Sequence, residues 1–196
     1  MSLTAITTSD KVINLRKKIA KMVNTEAYAE LSVEWLNSKG WKAIPLSNIF
    51  SDTQVRNLLQ TIGEYVYTSQ GLAVYCGFFD SENTLLPDVE VPIAYKLDFT
   101  EDDFWLFDAE FSATGNAILT NENFEFAILR EAGADYALIA GQANFVLSSI
   151  DKSAEEAFEE FLEFWADDAW SEKMRTAMKR LAEIYRPMWQ ENKVSS

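Results

Sequence analysis

Val89-Glu-Val-Pro-Ile-Ala-Tyr-Lys-Leu-Asp-Phe99 sets an apolar side chain at every odd position and a different residue type at each even one. A two-residue period held over eleven residues is the mark of a β-strand with one buried face. Pro92 cannot donate to a ladder, so this strand is expected at an edge or beside a bulge. Outward from it, further strands are predicted at Leu72–Phe79, Asp103–Phe107, Ala117–Thr120, Phe124–Arg130 and Tyr136–Ala140, with Asn144–Leu147 a further candidate. Short turns carrying Asn, Gly or Asp separate them, and one polar face favours antiparallel pairing.

Helical patterns flank this strand-rich middle. After Ser9, Val12, Leu15, Ile19, Met22 and Val23 recur at helical spacing, with Lys11, Arg16, Lys17, Lys18 and Lys21 on the remaining face. A second helix is predicted from Thr25 to Ser38, with Tyr28, Leu31 and Trp35 on one stripe and Gly40 as its stop. Ser51-Asp-Thr-Gln54 is a capping box, in which serine and glutamine each satisfy a free backbone N–H. Val55, Leu58, Leu59, Ile62 and Tyr65 follow on one face, and Gly71 is read as the end of that helix. Ser153-Ala-Glu-Glu156 is a second capping box, followed by Phe158, Phe161, Leu162, Trp165 and Ala169. A break is expected across Ala166–Ser171, where two aspartates disfavour a helix interior. The last helix carries Met174, Met178, Leu181, Tyr185 and Met188 inward, with Lys173, Arg175, Lys179 and Arg180 outward.

No Ser/Gly/Pro linker divides these regions. The expectation is one α+β domain over 1–196, helical at 9–70, strand-rich and acidic at 72–148, and helical at 153–190. Its antiparallel sheet should hold about five to seven strands between the N-terminal and C-terminal helices.

Charge is segregated along this chain of net −14. Residues 71–170 hold 22 Asp/Glu against 3 Lys/Arg, a net of −19, whereas 1–70 and 171–196 are net +2 and +3. Such a field repels nucleic acid and acidic membranes and favours a basic protein partner. The chain has no histidine, so Ser-His-Asp and Cys-His nucleophilic centres cannot be built, nor can zinc sites of the Cys/His type. Cys76 is the single cysteine and lies in an apolar run, which is read as a buried structural thiol. No phosphate-cradling glycine loop and no nucleophile elbow occurs. No catalytic residue, cofactor or metal ligand set is therefore assigned. One cysteine, a polar Met1–Asp10 and short apolar runs are those of a cytoplasmic chain with no membrane segment.

The densest cluster is Asp98-Phe-Thr-Glu-Asp-Asp-Phe-Trp-Leu-Phe-Asp-Ala-Glu110, six carboxylates and four aromatics in thirteen residues. It reads in three ways. It can be a solvated acidic turn over a core of aromatics, or a divalent-cation site built from Asp98, Glu101, Asp102 and Asp103. It can also be a partner-binding surface made of Glu101, Asp102, Asp103, Trp105, Asp108 and Glu110. The glutamates after Ser153 form either a solvated helix face or part of such a surface. The basic faces at 11–21 and 173–180 are expected to pair with the chain's own carboxylates.

The order helices–sheet–helix and the segment Ser153-Ala-Glu-Glu-Ala-Phe-Glu-Glu-Phe-Leu162 resemble the SUKH immunity proteins. The resemblance covers architecture and this one helix pattern. That family's proline- and glycine-bearing N-terminal signature is not found, so no site residue is carried over. The resemblance implies a bacterial immunity or antidote protein that covers a basic nuclease toxin. Two other functions fit the composition: a nucleic-acid mimic that blocks a DNA-binding protein, and a carboxylate- or metal-dependent hydrolase.

Overall fold

The computed structural model describes residues 3–6, 9–24, 29–47, 50–76, 94–112, 116–131 and 136–190. In chain order the elements are β1 (Thr4–Ala5), α1 (Ser9–Met22), β2 (Val23–Asn24), β3 (Glu30–Leu31), α2 (Val33–Lys39), β4 (Lys42–Ser47), α3 (Asp52–Tyr65), β5 (Gln70–Tyr75) and β6 (Ala94–Asp98). They continue as α4 (Glu101–Ser112), β7 (Ala117–Thr120), β8 (Ala127–Arg130), β9 (Tyr136–Gly141), α5 (Ala143–Ile150), α6 (Ala154–Trp165) and α7 (Glu172–Tyr185), with a 3-10 turn at Arg186–Trp189. They form a single α+β domain around a seven-stranded sheet of order β1-β6-β5-β7-β8-β9-β4. Every pairing in it is antiparallel. A separate small ladder joins β2 to β3. No described helix is long and apolar enough to cross a membrane.

The expected polar sheet face is absent at the centre. Every residue of β7, β8 and β9 is buried. Successive side chains point to opposite faces, so both faces of these strands are covered. Phe126 is fully buried at the centre of an aromatic row, 5.7 Å from Phe99 and 5.3 Å from Phe145 between ring centroids. Removing one such side chain from water contributes about 1.5–3 kcal/mol. The Phe99 ring lies so close to Gly71 that a Cβ there would stand 2.6 Å from it. Gly71 therefore belongs to β5 and allows that ring its seat; α3 ends earlier, at Tyr65.

Several local expectations are met by their chemistry. Both capping boxes form: Ser51 with Gln54 opens α3, and Ser153 with Glu156 opens α6. The break after Trp165 and the helix that follows are also present. Other expectations are corrected. Asp103–Phe107 is helix, inside α4. Asn144–Leu147 is helix too, because Phe145, Val146, Ser149 and Ile150 form a buried stripe at helical spacing. Of the predicted Thr25–Ser38 helix, the described residues are helical only within α2, opened by Ser32, whose side chain accepts from Trp35 N–H; Leu31 lies in a strand instead, and residues 25–28 lie outside the described residues. The supposedly helical 9–70 also contains β4. Its Pro45 sits opposite Leu138 on the outermost strand, where a missing N–H can face away from the ladder. Of the founding stretch Val89–Phe99, only Ala94–Asp98 is strand among the described residues, and it is paired on both sides, by β1 and β5. Val89–Ile93, and Gly77–Phe79 of another predicted strand, lie outside the described residues.

Candidate functional site

Helix α4 explains the cluster 98–110 in local terms. Thr100 hydroxyl oxygen accepts from Asp103 N–H at 3.2 Å, and the Asp103 carboxylate accepts from Asp98 N–H at 3.0 Å. Ser/Thr followed three residues later by an acid is a helix-start signature. Glu101, Asp102 and Asp103 occupy the first turn, where the helix dipole favours negative charge. Asp103, Phe104, Phe107 and Asp108 are buried, and Asp102, Ala109 and Glu110 are exposed. The apparent acid–aromatic alternation is thus an amphipathic helix that carries two carboxylates on its inner face.

The six candidate residues consequently separate into different roles. Asp103 is 5% exposed and serves the helix start. Asp108 accepts from Arg130 Nε at 2.9 Å, with both side chains nearly buried (11% and 6%). Arg130 also donates to the Tyr136 carbonyl at 3.1 Å, which ties α4 to β8 and β9. Glu101 is exposed and takes Arg56 of α3 at 3.1 Å. Trp105 is half-buried, edge-on to Phe104 at 5.9 Å. Asp102 and Glu110 face solvent. Of the six, Glu101, Asp102 and Glu110 are exposed, Trp105 is half-buried, and Asp103 and Asp108 are buried. Asp103→Ala is expected to cost about 1–2 kcal/mol in a urea titration by leaving the Asp98 N–H without its carboxylate acceptor, while Asp102→Ala stays within about 0.5 kcal/mol. Equal costs at the two positions would refute the assigned roles.

Among the described residues, no three Asp, Glu or Cys side chains come together as a metal ion would need. Asp98, Glu101, Asp102 and Asp103 do not converge as the cation-site reading required. Cys76 is buried, and loss of solvent pushes its thiol up to about 12, so it stays protonated and is not a nucleophile at neutral pH.

A second acidic face is larger. Residues 155–172 contain eight Asp/Glu and no Lys/Arg, and all eight are exposed. Glu155, Glu159 and Glu163 stand four apart along α6, and Asp167, Asp168 and Glu172 continue the charge around the corner into α7. Some of these have internal work. Glu155 pairs with Arg186, Glu160 with Lys152, and Asp168 with Arg175 at 2.6 Å. Glu156 closes the capping box, and its hydrogen bonds from Ser153 hold its carboxyl below the usual range. Glu159, Glu163 and Glu172 have no ion-pair partner within 4 Å among the described residues.

The same corner presents aromatics. Phe164 and Trp170 are half-buried, with ring centroids 5.6 Å apart, and both rest on buried Trp165 at 5.2 and 4.5 Å. The Trp165 indole N–H is buried with no hydrogen-bond partner among the described residues. Sequence reading weighed the α6 glutamates but missed the corner. The signal available was the tripeptide Phe164-Trp165-Ala166 leading into Asp167-Asp168-Ala-Trp170.

Comparison with protein-family models, with curated proteins and with solved structures gives no match. The functional reading rests on the chain's own geometry.

Proposed function

We propose that this chain is a non-enzymatic, cytoplasmic binding protein whose acidic face covers a basic protein partner, in the manner of an immunity or antidote protein against a basic nuclease toxin. The observation that carries the proposal is the run of eight exposed acids and no base from Glu155 to Glu172, set around the half-buried rings of Phe164 and Trp170. Aromatic anchors supply desolvated contact, and surrounding carboxylates steer a cationic partner and speed its association. The exposed acids of α4 beside Trp105 form a second, smaller face of the same character. A nucleic-acid mimic would need a long stripe of charge. Helix α6 has 12 residues and so extends about 18 Å, roughly half a turn of duplex DNA.

The proposal is tested with the full chain immobilised in a native lysate at low ionic strength. A basic protein should be retained and then released as salt approaches about 1 M, where the screening length falls to about 3 Å. Failure to retain any basic protein, or retention that ignores salt, sinks the masking model.

A further inference from the structure

Helix α1 carries Lys11, Asn14, Leu15 and Lys18 three and four residues apart, so they share one face. Leu15 is buried, and the other three are exposed. Between this face and strands β5 and β6 lies a cavity of about 230 Å³, reached also by Leu72 and Lys96. Its inner lining is buried and apolar: Leu15, Leu72 and Ile6. Its outer lining is polar, and Lys11, Lys18 and Lys96 against the single acid Glu122 give +3 − 1 = +2.

That concentration of positive charge is unusual in a chain of −14. Among the described residues it is only partly consumed. Lys96 donates to Glu122 at 2.8 Å, and this bond, with Lys11 nearby, holds the Glu122 carboxyl below its usual range. Lys18 Nζ lies 4.6 Å from the centroid of the Phe124 ring, which positions its ammonium without neutralising it. Lys11 and Lys18 have no ion-pair partner within 4 Å among the described residues.

We propose that this cavity binds a small phosphate monoester with an apolar body, of the size of one aromatic ring or a short alkyl chain. The charge matches: a monoester is close to a dianion above its second pKa of about 6, and the rim is +2. Lysine ammonium groups serve phosphate as point charges. The apolar floor selects an ester over the inorganic ion. The cavity is smaller than the roughly 300–1,000 Å³ of sites for larger organic ligands, which limits the apolar body. This site is independent of the acidic faces described above.

The test is calorimetric titration of the full chain at low ionic strength with phenyl phosphate, inorganic phosphate and phenol. Phenyl phosphate should bind at one saturable site, with the other two at least about tenfold weaker, since each lacks one half of the recognition. The double variant Lys11→Gln/Lys18→Gln should weaken phenyl phosphate at least about tenfold. The control Lys17→Gln/Lys179→Gln removes the same charge from exposed positions outside the cavity and should leave binding within about twofold. All four positions are exposed, and unfolding temperatures verify that both variants fold. Absence of saturable binding, equal binding of phenyl and inorganic phosphate, or equal loss in the control pair would each overturn the proposal.

Discussion

Asp108→Ala should destabilise the protein by about 3–5 kcal/mol, because it strands a buried cation. Arg130 is 6% exposed, its Nε donates to Asp108 at 2.9 Å, and no solvent is at hand to replace that carboxylate. Arg130→Ala should cost a similar amount. It leaves Asp108 buried without its cation and the Tyr136 carbonyl without the guanidinium donor. Replacing the pair by apolar side chains, as in Asp108→Leu/Arg130→Met, removes both charges together and should recover most of the loss. Urea unfolding of the four proteins provides the cycle. Single variants within about 1 kcal/mol of the parent would show that the pair is solvated and that Asp108 is available to a partner after all.

Tyr185→Phe is the second substitution expected to cost far more than its single oxygen suggests. The phenol of this α7 residue is fully buried, accepts from Leu31 N–H at 2.8 Å and donates to the Leu31 carbonyl at 2.9 Å. Burial pushes its ionisation well up, so the donor proton is kept at every ordinary pH. From the other side, Tyr136 of β9 donates to the Ala29 carbonyl at 2.8 Å. Two phenols thereby hold Ala29–Leu31 against the sheet and the last helix, across 107 and 154 residues of chain. Phenylalanine at 185 leaves an N–H and a carbonyl buried without the hydroxyl, at about 2–4 kcal/mol. Amide exchange at Leu31 should accelerate with the loss of global stability. A variant as stable as the parent, with Leu31 still protected, would show that the clasp contributes nothing.

These cases mark where sequence reading stops. The Ser51 and Ser153 capping boxes were legible because their partners lie three residues away. The same kind of signal at Thr100 and Asp103 was passed over, since acids and aromatics in alternation imitate a strand. Strand β4 was hidden by Pro45, which is tolerated only because topology puts it at the edge. The inner carboxylate of Asp108 was illegible because its cation comes from β8, 22 residues on. Lys11 and Lys18 could be set on one face from spacing alone. Lys96 could not be set opposite them without the pairing of β6 with β1 and β5. Local periodicity specifies elements, whereas burial of charge and convergence of like charges depend on which elements become neighbours.

The masking model is tested most directly by the affinity of the captured partner for the parent and for Glu159→Gln/Glu163→Gln/Asp167→Asn/Glu172→Gln, measured over a range of salt. Four exposed charges at about 0.5–1 kcal/mol each should weaken the complex about 100-fold, mostly through slower association, and flatten its salt dependence. The rings of Phe164 and Trp170 are untouched in this variant, so a loss reports on charge. An affinity within about threefold of the parent, with the salt dependence unchanged, would contradict the assignment of the Glu155–Glu172 face to a basic partner.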